Sequence, residues 1–146
     1  MKVITGSDHG GYYLKAVIND FLKSENHAVE DIGVYRDAPC DYPDIALKLC
    51  KKIIGTDNKG ILICGTGIGM SIAANKINGI RAAHCTDTFS ARMSREHNDA
   101  NVLCLGARIS GQGLALDIVK TWLGAEFSNN ARHIRRIELI ADIERL

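Results

Sequence analysis

The residues best able to do chemistry gather around one glycine-rich turn. Ile63-Cys64-Gly65-Thr66-Gly67-Ile68-Gly69-Met70-Ser71 puts a thiol at the end of an unbroken apolar run, Gly60 to Cys64, and directly before the turn. A glycine turn between a buried strand and a helix bares backbone N–H groups at the positive helix end. That suits a phosphate or a developing oxyanion. A thiol beside a helix N-terminus has its anion favoured, so Cys64 could act as nucleophile or base. Without such a turn a free cysteine is a small core hydrophobe, and that is the reading for Cys50, Cys85 and Cys104. Two familiar phosphate patterns fail here. The dinucleotide pattern G-x-G-x-x-G needs glycine where Met70 stands. The P-loop needs Gly-Lys-Ser/Thr, and the first lysine after the turn is Lys76.

Three polar segments could join it. Ser7-Asp8-His9-Gly10-Gly11 follows the first apolar run. Asp8 is a natural N-cap for the helix after it, and His9 could meet an anion or simply be a surface histidine. Ser94-Arg95-Glu96-His97-Asn98-Asp99 lies where a helix gives way to a strand. His97 is there either a general acid or base, or a solvated C-cap. Arg132-His133-Ile134-Arg135-Arg136 opens the last helix. Arg132 and Arg136 are four apart, share a helix face and repel each other unless an anion sits between their forks.

Elements that must position these groups alternate along the whole chain. Val3-Ile4-Thr5 reads as a strand ended by Gly6, and 11–24 as an amphipathic helix through Leu14, Val17, Ile18, Phe21 and Leu22. Ala28 to Ile32 is a second strand. A helix with Pro43 in its first turn follows, its apolar face made of Ala46, Leu47, Cys50, Ile53 and Ile54. Gly60 to Cys64, Ile80 to Cys85 and Val102 to Leu105 are strands, with helices from near Met70, over 88–97, over 111–123 and over 131–146. This alternation predicts an α/β fold: a single domain, 1–146, built as a three-layer sandwich around a parallel sheet with helices on both faces. Ligands then bind at the carboxyl ends of the strands, after Thr5, Cys64, Cys85 and Leu105. The last helix carries Ile134, Ile137 and Ala141 on one side, with Leu139, Ile140 and Ile143 outside that stripe. So wide an apolar surface predicts packing on a partner subunit.

Bulk properties exclude several classes. The chain has 146 residues, 46% hydrophobic and 24% charged, with net charge +1. That balance gives no electrostatic footprint for a nucleic acid or an anionic membrane. Five widely spaced cysteines without Cys-x-x-Cys argue against a disulfide framework or a zinc site. No apolar segment approaches a membrane helix, and the N-terminus lacks a signal-peptide pattern. The expected setting is cytoplasmic.

Taken together, the segments resemble the type B ribose-5-phosphate isomerases and related galactose-6-phosphate isomerase subunits. The resemblance rests on Ser7 to Gly11, Asp41-Tyr42-Pro43, Gly60 to Gly69, Ser71 to Lys76, Ser94 to Asp99 and Arg132-His133. It implies a flavodoxin- or Rossmann-like sheet and an aldose–ketose isomerase without metal or cofactor, as a homodimer or tetramer with sites between subunits. By resemblance, Cys64 moves the proton between C1 and C2, His97 opens the sugar ring and Asn98 holds hydroxyls. The loop Gly65, Thr66, Gly67, Ile68 and Gly69 holds the enediolate oxygen. Asp8 and His9 line the substrate, and Arg108, Arg132 and Arg136 grip the phosphate. Arg135 adds a charge beside that pair, and either Arg135 or Arg136 could make the second contact. The implied reaction joins ribose 5-phosphate to ribulose 5-phosphate. A six-carbon sugar phosphate is the alternative, and a non-catalytic anion- or nucleotide-binding module is the reading from another class.

Overall fold

Short apolar runs feeding amphipathic helices can bury both faces of a sheet only if the helices return over it. The computed structural model describes residues 1–146 and has that form. Five strands, β1 (Val3–Ser7), β2 (Val29–Asp31), β3 (Lys59–Cys64), β4 (Ala82–His84) and β5 (Val102–Gly106), make one parallel sheet in the order β2-β1-β3-β5-β4. Six helices accompany them: α1 (Tyr12–Ser24), α2 (Tyr42–Cys50), α3 (Ile68–Ala74), α4 (Thr88–Glu96), α5 (Gln112–Gly124) and α6 (Ala131–Ile143). The expected doubly wound sheet is present. Relative to the flavodoxin order, β4 and β5 exchange places, so the three-residue β4 is an edge strand.

Strand alternation divides the core in two. Val3, Ile61, Ile63, Leu103 and Leu105 face α1, α4 and α5 through Ile18, Leu22, Ala91, Ile118, Val119 and Trp122. Ile4, Leu62, Cys64, Val102 and Cys104 face α2 and α3 through Ala46, Leu49, Cys50, Met70 and Ala74. Each fully buried aliphatic side chain contributes about 1.5–3 kcal/mol. Trp122, the sole tryptophan, is fully buried, and the Arg95 guanidinium stands 5.6 Å from its ring centre.

Some boundaries differ from the sequence reading. Gly6 continues β1 rather than ending it, in register with Leu62. On α2 and the turn that follows it the sheet-facing stripe is Ala46, Leu49, Cys50 and Ile53, an i, i+3, i+4, i+7 set. Leu47 and Ile54, placed on that face by sequence, are 43% and 45% exposed. The last helix ends at Ile143. Of its residues only His133 is buried, and Ile134, Leu139, Ile140 and Ile143 face solvent. Its C-terminal end is tied down where the Glu144 carboxylate accepts from the Gly79 N–H.

Candidate active site

Strand order reverses between β1 and β3, and in a parallel sheet the loops leaving such neighbours part to opposite faces and open a crevice. Both loops are glycine-rich here. The Asp8 N–H donates to the Ile63 carbonyl at 3.2 Å, and the Asp8 Oδ1 accepts from the Gly11 N–H at 3.1 Å. Asp8 therefore caps a short 3-10 turn, His9–Gly11, leading into α1. The Nδ1 atom of His9 is buried without a partner. Cys40 lies against the His9 backbone N–H, and burial pushes its thiol up.

Cys64 closes β3 at this crevice. The Gly67 N–H donates to its Sγ at 3.1 Å. Gly67 is left-handed (φ 80°) and is the N-cap of α3, so the sulfur sits at the positive end of that helix. A donated N–H beside a helix start is the setting in which a thiolate is favoured. Burial pushes Cys50 on α2 and Cys85 just after β4 up to about 11, and Cys104 on β5 well above its usual range. The turn also rests on β5. The Ala107 and Arg108 N–H groups donate to the Cys64 and Gly65 carbonyls, both at 2.9 Å, and the Arg108 side chain crosses Gly65. A Cβ at Gly106 would lie 2.5 Å from the Thr66 backbone, so only glycine allows this approach. Thr66 is exposed at the rim, its Oγ1 accepting from the Ile68 N–H at 3.3 Å. Asp8, His9, the 65–69 loop and Arg108 therefore meet at one end of the sheet.

Two residues that sequence reading did not place there complete the wall. The Tyr42 ring packs on Gly69, and His84 packs on Gly67 with its Nε2 buried and unpartnered. Both arrive by tertiary packing, which no local pattern announces. No group of His, Cys, Asp or Glu side chains is arranged to hold a metal ion.

The remaining candidates lie elsewhere. His97 is the C-cap of α4, which runs back against the strands, and Asn101 already pairs with Gly60 at the start of β3. His97 is thus at the opposite end from Cys64. β3 has six residues, about 20 Å at the usual strand rise. The α6 start joins His97 there. The His133 ring lies 4.4 Å from the His97 ring, and its Nδ1 meets the Ser128 Oγ at 2.7 Å. Burial, His97, Arg132 and Arg136, in that order, push His133 below its usual value. Asn98, Arg132, Arg135 and Arg136 are exposed, and none of these arginines forms an ion pair within the chain. One chain thus carries two separate groups of candidate residues: a thiol, amide and Arg108 group, and a histidine, asparagine and arginine group.

Comparison with known proteins gives the family. A family model described as ribose/galactose isomerase matches residues 3–140. The chain belongs to that family. It is accordingly an enzyme, an aldose–ketose isomerase. The chain is 45% identical over 144 residues to ribose-5-phosphate isomerase B of Escherichia coli, covering 98% of this chain and 96% of that one. It is 46% identical over 132 residues to D-erythrulose-4-phosphate isomerase of Pectobacterium atrosepticum, covering 87% and 85%. The solved ribose-5-phosphate isomerase B of Clostridium thermocellum superposes with a TM-score of 0.96 at 55% identity, covering 99% and 98%. No helix is long and apolar enough to cross a membrane.

Proposed function

We propose that the chain interconverts ribose 5-phosphate and ribulose 5-phosphate, with Cys64 as the base. The observation that carries this reading is the Cys64 sulfur at the glycine turn where β3 ends, accepting from the Gly67 N–H at 3.1 Å. Moving a proton between adjacent carbons needs a base, donors for the oxyanion, an acid for ring opening and a phosphate clamp. The Cys64 thiolate takes the C2 proton of the open-chain aldose. The electron pair moves through C1=C2 onto O1, and the enediolate is held by the 65–69 amides and the Thr66 hydroxyl. A proton passes from O2 to O1, and the Cys64 thiol returns its proton to C1 as the C2 carbonyl forms. No atom is gained or lost.

His97, as the acid that opens the ring, and Asn98, as a hydroxyl partner, enter from a second copy of the chain. Support comes from their position about one strand length from Cys64 within a chain. The exposed apolar side of α6 gives the surface on which copies join, as a homodimer or tetramer. Arg132 and Arg136 then come in with His97 and meet the phosphate together with Arg108 and His9. Asp8 lines the sugar.

The reading is tested with a panel of four-, five- and six-carbon sugar phosphates, following turnover and solvent deuterium entering at C1 or C2. Ribose 5-phosphate should give the highest kcat/KM. The erythrulose-phosphate relative favours a four-carbon substrate as the second reading. A best rate on a six-carbon sugar, or binding without deuterium entry, would replace the five-carbon reading.

A further inference from the structure

The loop 33–41, between β2 and α2, forms one wall of the crevice. Cys40 lies in it against His9, and Tyr42 just beyond it packs on Gly69. Its own residues include Gly33, Asp37 and Pro39 and supply little that would fix its height. The fixed point is a buried charge. Lys15 on α1 has a side chain only 2% exposed. Its Nζ donates to Asp31 Oδ1 at 2.7 Å and to the Val34 carbonyl at 2.6 Å, 5.6 Å from the Tyr35 ring centre. The Asp31 carboxylate also accepts from Asn19 Nδ2 at 2.9 Å and from the Gly33 N–H at 2.8 Å. Asn19 Oδ1 in turn accepts from Thr5 Oγ1 at 2.8 Å.

This network reaches the site through two residues. The Ser7 N–H donates to the Gly33 carbonyl at 2.8 Å, and the Val34 N–H donates to the Ser7 carbonyl at 2.9 Å. Gly33 and Val34 are therefore held from one side by Asp31 and Lys15, and on the other they brace the strand end that carries Asp8 and His9. Burying the Lys15 ammonium is costly even with the half-buried Asp31 carboxylate beside it, and an apolar pair of similar volume would hold helix to sheet at least as well. An apolar pair could not fix the direction of the Val34 carbonyl. The directional contact to a loop backbone is what the ion pair adds.

We propose that Lys15 is a positioning residue for the substrate site: its ammonium sets the height of the 33–41 wall, and with it the length of sugar chain that fits. The second half of this rests on the sugar-phosphate reading above. The test compares Lys15→Met and Asp31→Asn with the unaltered enzyme, well below each melting temperature. Cys40 labelling by a thiol reagent reports the wall without any substrate. It should quicken on the order of tenfold once the buried pair is lost. KM for ribose 5-phosphate should rise by a comparable factor, and preference among sugar lengths should broaden. Inhibition by inorganic phosphate, held in that reading chiefly by Arg108, Arg132 and Arg136, should change much less than KM, since only its His9 contact is braced by the wall. Folded variants with unchanged Cys40 labelling and unchanged KM overturn the proposal. So does a uniform loss of kcat and phosphate binding, which a merely structural role would give. Should neither variant fold, amide exchange on the unaltered protein decides. Gly33 and Val34 amides protected as well as those of β1 support the proposal, and exchange as fast as at Arg36 and Asp37 overturns it. If the unaltered enzyme turns over no sugar phosphate, the functional reading falls, and Cys40 labelling and amide exchange still decide whether Lys15 fixes the wall.

Discussion

Cys64 and Cys104 occupy neighbouring strands and the same face of the sheet, and their sulfurs meet opposite surroundings. Cys104 is enclosed in the core, and burial raises its thiol well above the usual range. Cys64 ends its strand two positions nearer the crevice in register and receives the Gly67 N–H. Cys64→Ala should therefore lower kcat by about 10²–10⁴-fold, the span of a lost general base, with substrate still binding. Near-normal turnover in that variant, measured by coupled assay, removes Cys64 from the chemistry. Gly67 carries a second prediction. Its φ of 80° and a Cβ that would sit 2.9 Å from the Leu105 carbonyl carbon make Gly67→Ala strained twice over. The variant should lose about 1–3 kcal/mol of stability in urea titration and show slower Cys64 alkylation. The glycine turn made Cys64 legible in the sequence. Tyr42 and His84 were not legible as neighbours of that turn, because nothing local to positions 42 or 84 says what they will pack against.

The junction of α4 with α6 is an element held by two rings. His133 is buried there against His97, and burial and the surrounding cations disfavour its charged form. A histidine whose folded value lies below its unfolded value binds protons more readily when unfolded. Stability then rises with pH, is fully present above the ordinary histidine value, and falls as pH drops through and below it. The α6 start should accordingly loosen in mildly acidic solution before the sheet does. Amide protection at 131–136, taken relative to the intrinsic exchange rate at each pH, checks this from neutral to mildly acidic solution, and protection that does not fall would count against it. Asp87 caps α4 by accepting from the Ser90 N–H at 2.6 Å, which holds its carboxyl below the usual range. That contribution fails only at more acidic pH, so the two ends of α4 should release in different pH ranges. Helix faces were partly legible. The sequence marks α2 as amphipathic, but Leu47 and Leu49 are both apolar, and the choice between them depends on helix phase against the sheet.

At the scale of the whole molecule, a parallel sheet follows from alternating strands and helices, and that architecture was readable before any coordinates. The exchange of β4 and β5 was not, because a short apolar run carries no mark of which edge it will join. That Cys64 and His97 lie at opposite ends of the sheet was legible, since in a parallel sheet a strand ends at one edge and the helix that follows a strand must return to the other. The separation predicts complementation. Mixing inactive Cys64→Ala chains with inactive His97→Asn chains under exchange conditions should restore activity, because one site of a mixed dimer holds both groups intact. Random pairing puts about half of the chains in mixed dimers, each with one intact site of two, so about a quarter of normal activity per chain is expected by mass action. Confirmed exchange with no recovered activity would mean that the two groups do not share a site.

Trp122 gives this molecule a built-in optical reporter. It is the only indole, it is fully buried between α5 and the sheet, and a guanidinium stands over its ring. Its emission should be blue-shifted in the native state and move to the red in one step as that core layer opens. The exposed side of α6 lies outside that layer, so association of copies should leave the emission maximum unchanged while light scattering rises. One fluorescence trace and one scattering trace on the same sample therefore separate folding from assembly, with no label attached.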